Sequence, residues 1–149
     1  MEIITKRLKL IPATEELMRT SSDDYEMGDH IDYYLSIIEN DTSYKGWGVW
    51  FVYQQSDGLL IGDIGYKGKP YEGTVEVGYG ISTNVQNRGY ATEAIEALMN
   101  WAFTSTDVHR IKAECLEDNG PSLSVLKKLG MNQTSHDNGM TYWEKHIHQ

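Results

Sequence analysis

Val75-Glu76-Val77-Gly78-Tyr79-Gly80-Ile81, the linker Ser82-Thr83-Asn84-Val85-Gln86-Asn87-Arg88-Gly89-Tyr90, and then Ala91-Thr92-Glu93-Ala94-Ile95 decide the fold of this 149-residue chain. Val75, Val77, Tyr79 and Ile81 alternate with Glu76, Gly78 and Gly80, a period of two that predicts a strand. Ala91, Ile95, Leu98, Met99, Ala102 and Phe103 fall at offsets 0, 4, 7, 8, 11 and 12, one stripe of an amphipathic helix, with Thr92 and Glu93 suited to its first turn. A loop that leads straight from strand to helix leaves backbone N–H groups unpaired at the positive end of the helix dipole, which makes an anion site. Gly89 and Ala91 keep side chains short there, and Arg88 adds a charge that can clamp phosphate. A diphosphate-bearing cofactor is the simplest ligand; the alternative is an ordinary strand-to-helix connection whose glycine merely turns the chain. No Gly-Lys-Ser/Thr occurs, so nucleoside triphosphate hydrolysis is unsupported.

Outward from this segment, Leu8 and Leu10 predict a short strand ended by Pro12, and Thr14 can cap a following helix. Between Ser22 and Asn40 helical spacing is visible only in the second half, through Ile31, Tyr34, Leu35 and Ile38. Trp47–Gln54 and Leu59–Lys67 are adjacent antiparallel strands joined at Ser56-Asp57-Gly58, with Trp47, Trp50, Tyr53 and Tyr66 as core strand residues, some bordering a substrate mouth. Downstream come a strand over Arg110–Leu116, a helix over Pro121–Leu129 ended by Gly130, and a hairpin of Met131–Ser135 with Met140–Lys145 about Asp137-Asn138-Gly139. Residues 1–149 thus read as a single domain without internal repeats.

The composition, 40% hydrophobic and 23% charged with three prolines, is that of a folded globular chain. No signal peptide and no membrane-length apolar run is present, so a cytoplasmic protein is expected. A formal charge of −9 disfavours nucleic acid and anionic membranes and favours cationic partners, although the acidic residues cluster between Asp23 and Asp41, where they also suit a solvated helix surface. The single cysteine, Cys115, reads as a small core residue rather than a nucleophile, and His146-x-His148 lacks the further ligands of a metal site.

Gln86-x-x-Gly89-x-Ala91, placed between a strand and a helix, resembles the pyrophosphate loop of the GNAT superfamily of N-acetyltransferases. Val75-Glu76-Val77-Gly78-Tyr79 looks like the fourth strand of its RimJ/RimL-like branch and His109-Arg110-Ile111 like the entry to the fifth. Glu117-x-Asn119-x-x-Ser122-x-x-Val125-Leu126-x-x-Leu129-Gly130 looks like the helix that follows, and Arg7-Leu8-x-Leu10 and Leu60-Ile61-Gly62 also agree. The resemblance covers most of the chain, residues 13 to 45 excepted. It implies an α/β (α+β) GNAT fold: a mixed, mostly antiparallel twisted sheet of about seven strands, splayed between the fourth and fifth and flanked by helices. It also implies acetyl-CoA as acyl donor, held by Ile81, Gln86, Asn87, Arg88, Gly89, Tyr90, Ala91 and Thr92, with Asn119 and Ser122 near the thioester. Homodimers are common among such enzymes, so a homodimer is carried as an expectation.

An amine attacks a thioester only when neutral, so a base or a water chain must take its proton. Glu76 is the first candidate, because it shares a strand face with Gly78 and Gly80, which leave room for substrate; otherwise it is a solvent-facing residue paired with a cation. Glu114 is the alternate. A backbone N–H around Tyr79 to Ile81 would serve the oxyanion if the strand bulged at its glycines. Many such enzymes protonate the leaving thiolate with a tyrosine of the helix after the fifth strand, but Pro121–Leu129 has none, which leaves Ser122, Tyr142 or water. The expected activity is direct acetyl transfer to a peptide N-terminus or small-molecule amine; the alternative is a non-catalytic acyl-CoA-binding or regulatory module.

Overall fold

In the computed structural model, which describes residues 1–21, 25–81 and 89–147, with the backbone alone at Gly80 and Ile81, thirteen elements follow one another. They are β1 (Ile3–Ile4), β2 (Leu8–Pro12), α1 (Glu15–Thr20), α2 (Asp29–Asn40), a 3-10 turn (Thr42–Tyr44), β3 (Val49–Gln54), β4 (Leu60–Tyr66) and β5 (Thr74–Ile81), then α3 (Tyr90–Phe103), β6 (Arg110–Leu116), α4 (Gly120–Lys128), β7 (Asn132–Asp137) and β8 (Met140–His146). The strands form one sheet in the order β1-β2-β3-β4-β5-β6-β8-β7. All neighbours are antiparallel except β5 and β6, which α3 joins as a crossover. The architecture is an α+β fold of the expected kind, with one strand more than the pattern had suggested: β1 is only two residues long, too short for a period to register.

Helices cover both faces of the sheet. On one face the α3 stripe of Ala94, Ile95, Leu98, Met99 and Ala102 packs on Leu8, Leu10, Trp50, Ile64, Tyr66, Val75 and Val77, joined by Ile111, Ala113 and α4's Leu126. Each Leu, Ile, Val or Met among them contributes about 1.5–3 kcal/mol by leaving water, and the Tyr66 hydroxyl donates to the Leu98 carbonyl at 2.8 Å, pinning the helix to the strand. On the other face Ile31 and Tyr34 of α2, with Leu17 of α1, meet Val49, Phe51 and Leu60. Thr14 caps α1 as its sequence suggested, its hydroxyl accepting from the Leu17 amide.

Thr74, Val75 and Glu76 pair in parallel with Arg110, Ile111 and Lys112, and there the β5–β6 ladder stops. β5 meanwhile keeps an uninterrupted register with β4 from Val77 to Ile81. The bulge that Gly78 and Gly80 would permit does not form; the strands part by diverging, which opens a wedge in the sheet beyond Glu76.

Candidate active site

The register of β4 and β5 sets the geometry of one side of this wedge. Asp63 faces Gly80 and Gly65 faces Gly78, while the Lys67 amide donates to the Glu76 carbonyl, and these three rungs point toward α2. The middle rung carries no side chain, and above it a cleft of about 580 Å³ opens between the sheet and α2. Tyr33, Tyr34 and Ile37 of α2, with Tyr44 and Trp47, wall it. Gly48 and Gly65 allow this close packing: a Cβ on Gly48 would fall 1.9 Å from the Tyr34 ring, and one on Gly65 would fall 2.0 Å from the Gly48 carbonyl.

Carboxylates flank the glycine rung. Glu76, its side chain only 14% exposed, is ion-paired with Lys67 and lies 3.8 Å from Lys112. Glu114 is on the same face, 4.0 Å from Lys67. Of the alternative reading, a solvent-facing residue paired with a cation, the pairing is observed and the solvent exposure is not; the low exposure and the place at the mouth of the wedge suit a base. On the far side Asp63 accepts the Tyr25 hydroxyl at 2.5 Å and meets His30 Nε2 at 2.6 Å. Burial, the hydrogen bond to Asp63 and its negative charge all push the Tyr25 phenol upward, so it remains a donor.

The opposite face of β5 carries Tyr79, whose hydroxyl reaches across the wedge to Ser122 Oγ at 2.5 Å. Ser122 is placed by a cap: its amide donates to Asn119 Oδ1 at 3.2 Å, at the start of α4, where Pro121 costs no hydrogen bond. Burial raises the Tyr79 phenol above its usual value, the Ser122 hydrogen bond opposing and the nearby Cys115 adding to the effect. Cys115 is buried on the α3/α4 face, its Sγ 3.3 Å from the Leu116 carbonyl, which is core surroundings. Glu76 and Ser122 therefore stand on opposite faces of one strand. Tyr142 pairs with Glu114 in the ladder and shares the Glu76 face, away from Ser122.

At the N-terminus of α3, Gly89 has φ +78°, a left-handed conformation that strains other residues, and among the described residues no side chain caps the helix. Its first-turn amides, from Tyr90, Ala91 and Thr92, thus have no side-chain acceptor at the cap, as an anion site requires. Arg7 lies beside this turn, its guanidinium 4.3 Å from the Tyr90 ring centre and 2.7 Å from Glu93. Gln86, Asn87, Arg88 and the Ile81 side chain are outside the described residues, as is His148. Among the described residues no group of His, Cys, Asp and Glu has metal-site spacing, and no helix is long and apolar enough to cross a membrane.

Sequence reasoning missed Asp63, Lys67 and Tyr79. Asp63 had a signal: it is the one charge in Leu59–Tyr66, a segment otherwise suited to burial. Tyr79 had none, because its partner is 43 residues away across the wedge.

Residues 7–132 match the acetyltransferase (GNAT) domain family. YjdG of Bacillus subtilis, described as an uncharacterised N-acetyltransferase, is 34% identical over 101 residues, 67% of this chain and 60% of its own length. The chain thus spans less than two thirds of that relative. A GNAT-family acetyltransferase from Bacillus anthracis superposes with a TM-score of 0.73 at 22% identity over 98% of both chains. RimL, a ribosomal L7/L12 alpha-N-protein acetyltransferase solved with coenzyme A, superposes at 0.75 with 17% identity over 99% of this chain and 98% of its own. At such identities the structures testify to the shared fold.

Proposed function

Since the chain belongs to the GNAT acetyltransferase family, we propose that it moves an acetyl group from acetyl-CoA directly to an amine, with both substrates bound. The observation that carries this reading is the wedge beside β5, flanked by the α2 cleft on one face and the Tyr79–Ser122 pair on the other. Two substrates entering from opposite faces meet there, and a buried Cys115 is poorly placed to intercept the acetyl group. The reading takes residues 1–149 as one transferase domain in the cytoplasm, with a small-molecule or peptide amine as acceptor.

The uncapped turn at Gly89 fits a diphosphate. Ile81, Gln86, Asn87, Arg88, Gly89, Tyr90, Ala91 and Thr92 would hold the coenzyme, with Asn119 and Ser122 toward its sulfur. What the coenzyme supplies is an acetyl thioester and a thiol leaving group. Glu76 takes a proton from the acceptor nitrogen, directly or through water, with Glu114 as the alternate base. The nitrogen–carbon bond forms, the carbon–sulfur bond breaks, and the electron pair leaves on sulfur. Ser122 Oγ donates a hydrogen bond to that sulfur, which leaves as the thiolate and takes its proton from water. Tyr79, a phenol kept protonated by burial, donates to Ser122 Oγ and so turns the serine hydrogen toward the wedge. Backbone N–H groups of Tyr79 to Ile81, beyond the last β6 pair, serve the carbonyl oxygen.

The ion pairs of Glu76 favour a second reading, an acyl-CoA-binding module without chemistry. Glu76→Gln separates the two. For an enzyme, amine-dependent release of CoA falls by about 100-fold or more while CoA affinity by calorimetry is retained. Absence of turnover with every amine, alongside normal CoA binding, would establish the module.

A further inference from the structure

We infer that the acceptor is a small monoamine with an apolar, ring-sized body, lying in the α2 cleft with its nitrogen over the Gly65–Gly78 rung; this rests on the acetyltransferase reading above. No side chain rises from this rung; Gly78 is its open half, where an added Cβ finds only Lys67 Cε, at 3.8 Å, whereas the Gly65 half lies against the Gly48 main chain. Same-face rungs of a strand are about 7 Å apart, so Asp63 and Glu76 sit one step to either side of that place. Both already have cationic or hydroxyl partners, Asp63 in Tyr25 and His30, Glu76 in Lys67 and Lys112. One ammonium group is therefore accommodated between them, and it loses its proton toward Glu76.

The rest of the cleft offers a different chemistry. Tyr33, Tyr44 and Trp47 supply aromatic rings, Ile37 and Val49 supply aliphatic surface, and among the described residues Asp63 is the only carboxylate in the lining. A polyamine or aminoglycoside would bring several cations to walls whose described residues supply no further negative charge. A peptide would bring backbone amides to a floor whose β4 groups are occupied, since β4 is paired on both sides, to β3 and β5, leaving only the β5 edge beyond Glu76 to meet them. Each unpaired amide left there costs about 1–3 kcal/mol. An arylalkylamine places one charge at the rung and buries its ring against aromatic walls, where ring stacking and ammonium–ring attraction add to apolar burial. The volume, about 580 Å³, lies within the range of small-molecule sites.

The test is a CoA-release assay with three matched sets of acceptor: 2-phenylethylamine, tyramine and tryptamine; spermidine and kanamycin; and hexapeptides with free Ser or Ala N-termini. The expected result is a kcat/KM at least about tenfold higher for the arylalkylamines, a difference of some 1.4 kcal/mol. Tyr33, 70% exposed on α2, can be changed without disturbing the core. Tyr33→Ala should raise the arylalkylamine KM by about 3- to 10-fold and leave the acetyl-CoA KM unchanged, while Tyr33→Glu should improve spermidine relative to tryptamine. Preference for peptides or polyamines, or an arylalkylamine KM indifferent to both Tyr33 variants, overturns the inference while acetyl transfer stands. Absence of CoA release with all three sets overturns both.

Discussion

The hydroxyl of Tyr79 against Ser122 Oγ is the smallest feature with mechanistic weight, and it can be probed without knowing the acceptor. If Ser122 donates to sulfur and Tyr79 directs it, the thiol of bound CoA should ionise more readily than the free thiol. Ultraviolet titration of the bound thiolate should then show its pKa rising by about one unit in both Tyr79→Phe and Ser122→Ala, with CoA affinity little changed. An unmoved titration in Tyr79→Phe would reduce the contact to packing. Legibility differs sharply among neighbours here. The Asn119–Ser122 cap follows from residue types three apart, and the place of Glu76 on a glycine-bearing strand face follows from a period of two. The engagement of Glu76 by Lys67 and Lys112 depends on which strands become neighbours, which no local pattern encodes.

Among the elements, α3 is held at both ends of its argument: its stripe binds the sheet, and its first turn binds the N-terminal segment. Glu93 accepts from Thr5 Oγ1 at 2.6 Å, the Arg7 amide at 2.9 Å and Arg7 Nε at 2.7 Å. Burial alone would raise the Glu93 carboxyl, but these donors and the Arg7 charge outweigh it and hold the group below its ordinary 4.5. A lowered folded-state value means stability that is fully present above the ordinary carboxylate range and lost as pH falls through the folded value. Urea denaturation should therefore find Glu93→Gln less stable by about 1.5–3 kcal/mol near pH 7. The gap to wild type should close below about pH 4, and a gap that persisted in acid would assign the loss to shape rather than charge. The long α3 stripe and the hairpins at Gly58 and Asn138-Gly139 were readable because their signals are local. β1 and the Thr42–Tyr44 turn were not, being shorter than one period.

For the whole molecule, layered order came from the same local signals, since alternating strands and striped helices admit few ways to bury both patterns. What they did not disclose is how α2 roofs the sheet. Its docking turns on Tyr34 lying against Gly48, a fit between two residues of which neither is conspicuous alone. The α2 cleft was accordingly the least legible part of the candidate site, and the start of α3 at Gly89 the most.

Among the described residues, three parallel pairs, Thr74–Glu76 with Arg110–Lys112, are all the main-chain ladder that joins the five N-terminal strands to the three C-terminal ones. The protein is in this respect a book with a short spine, its leaves otherwise bound by the helices that lie on them. A molecule filling the gap would act as a missing strand and fasten the leaves. Deuterium uptake at the amides of β5 beyond Glu76 and along the adjoining edge of β6 should consequently slow on adding CoA, with the outer pair β1 and β2 unaffected.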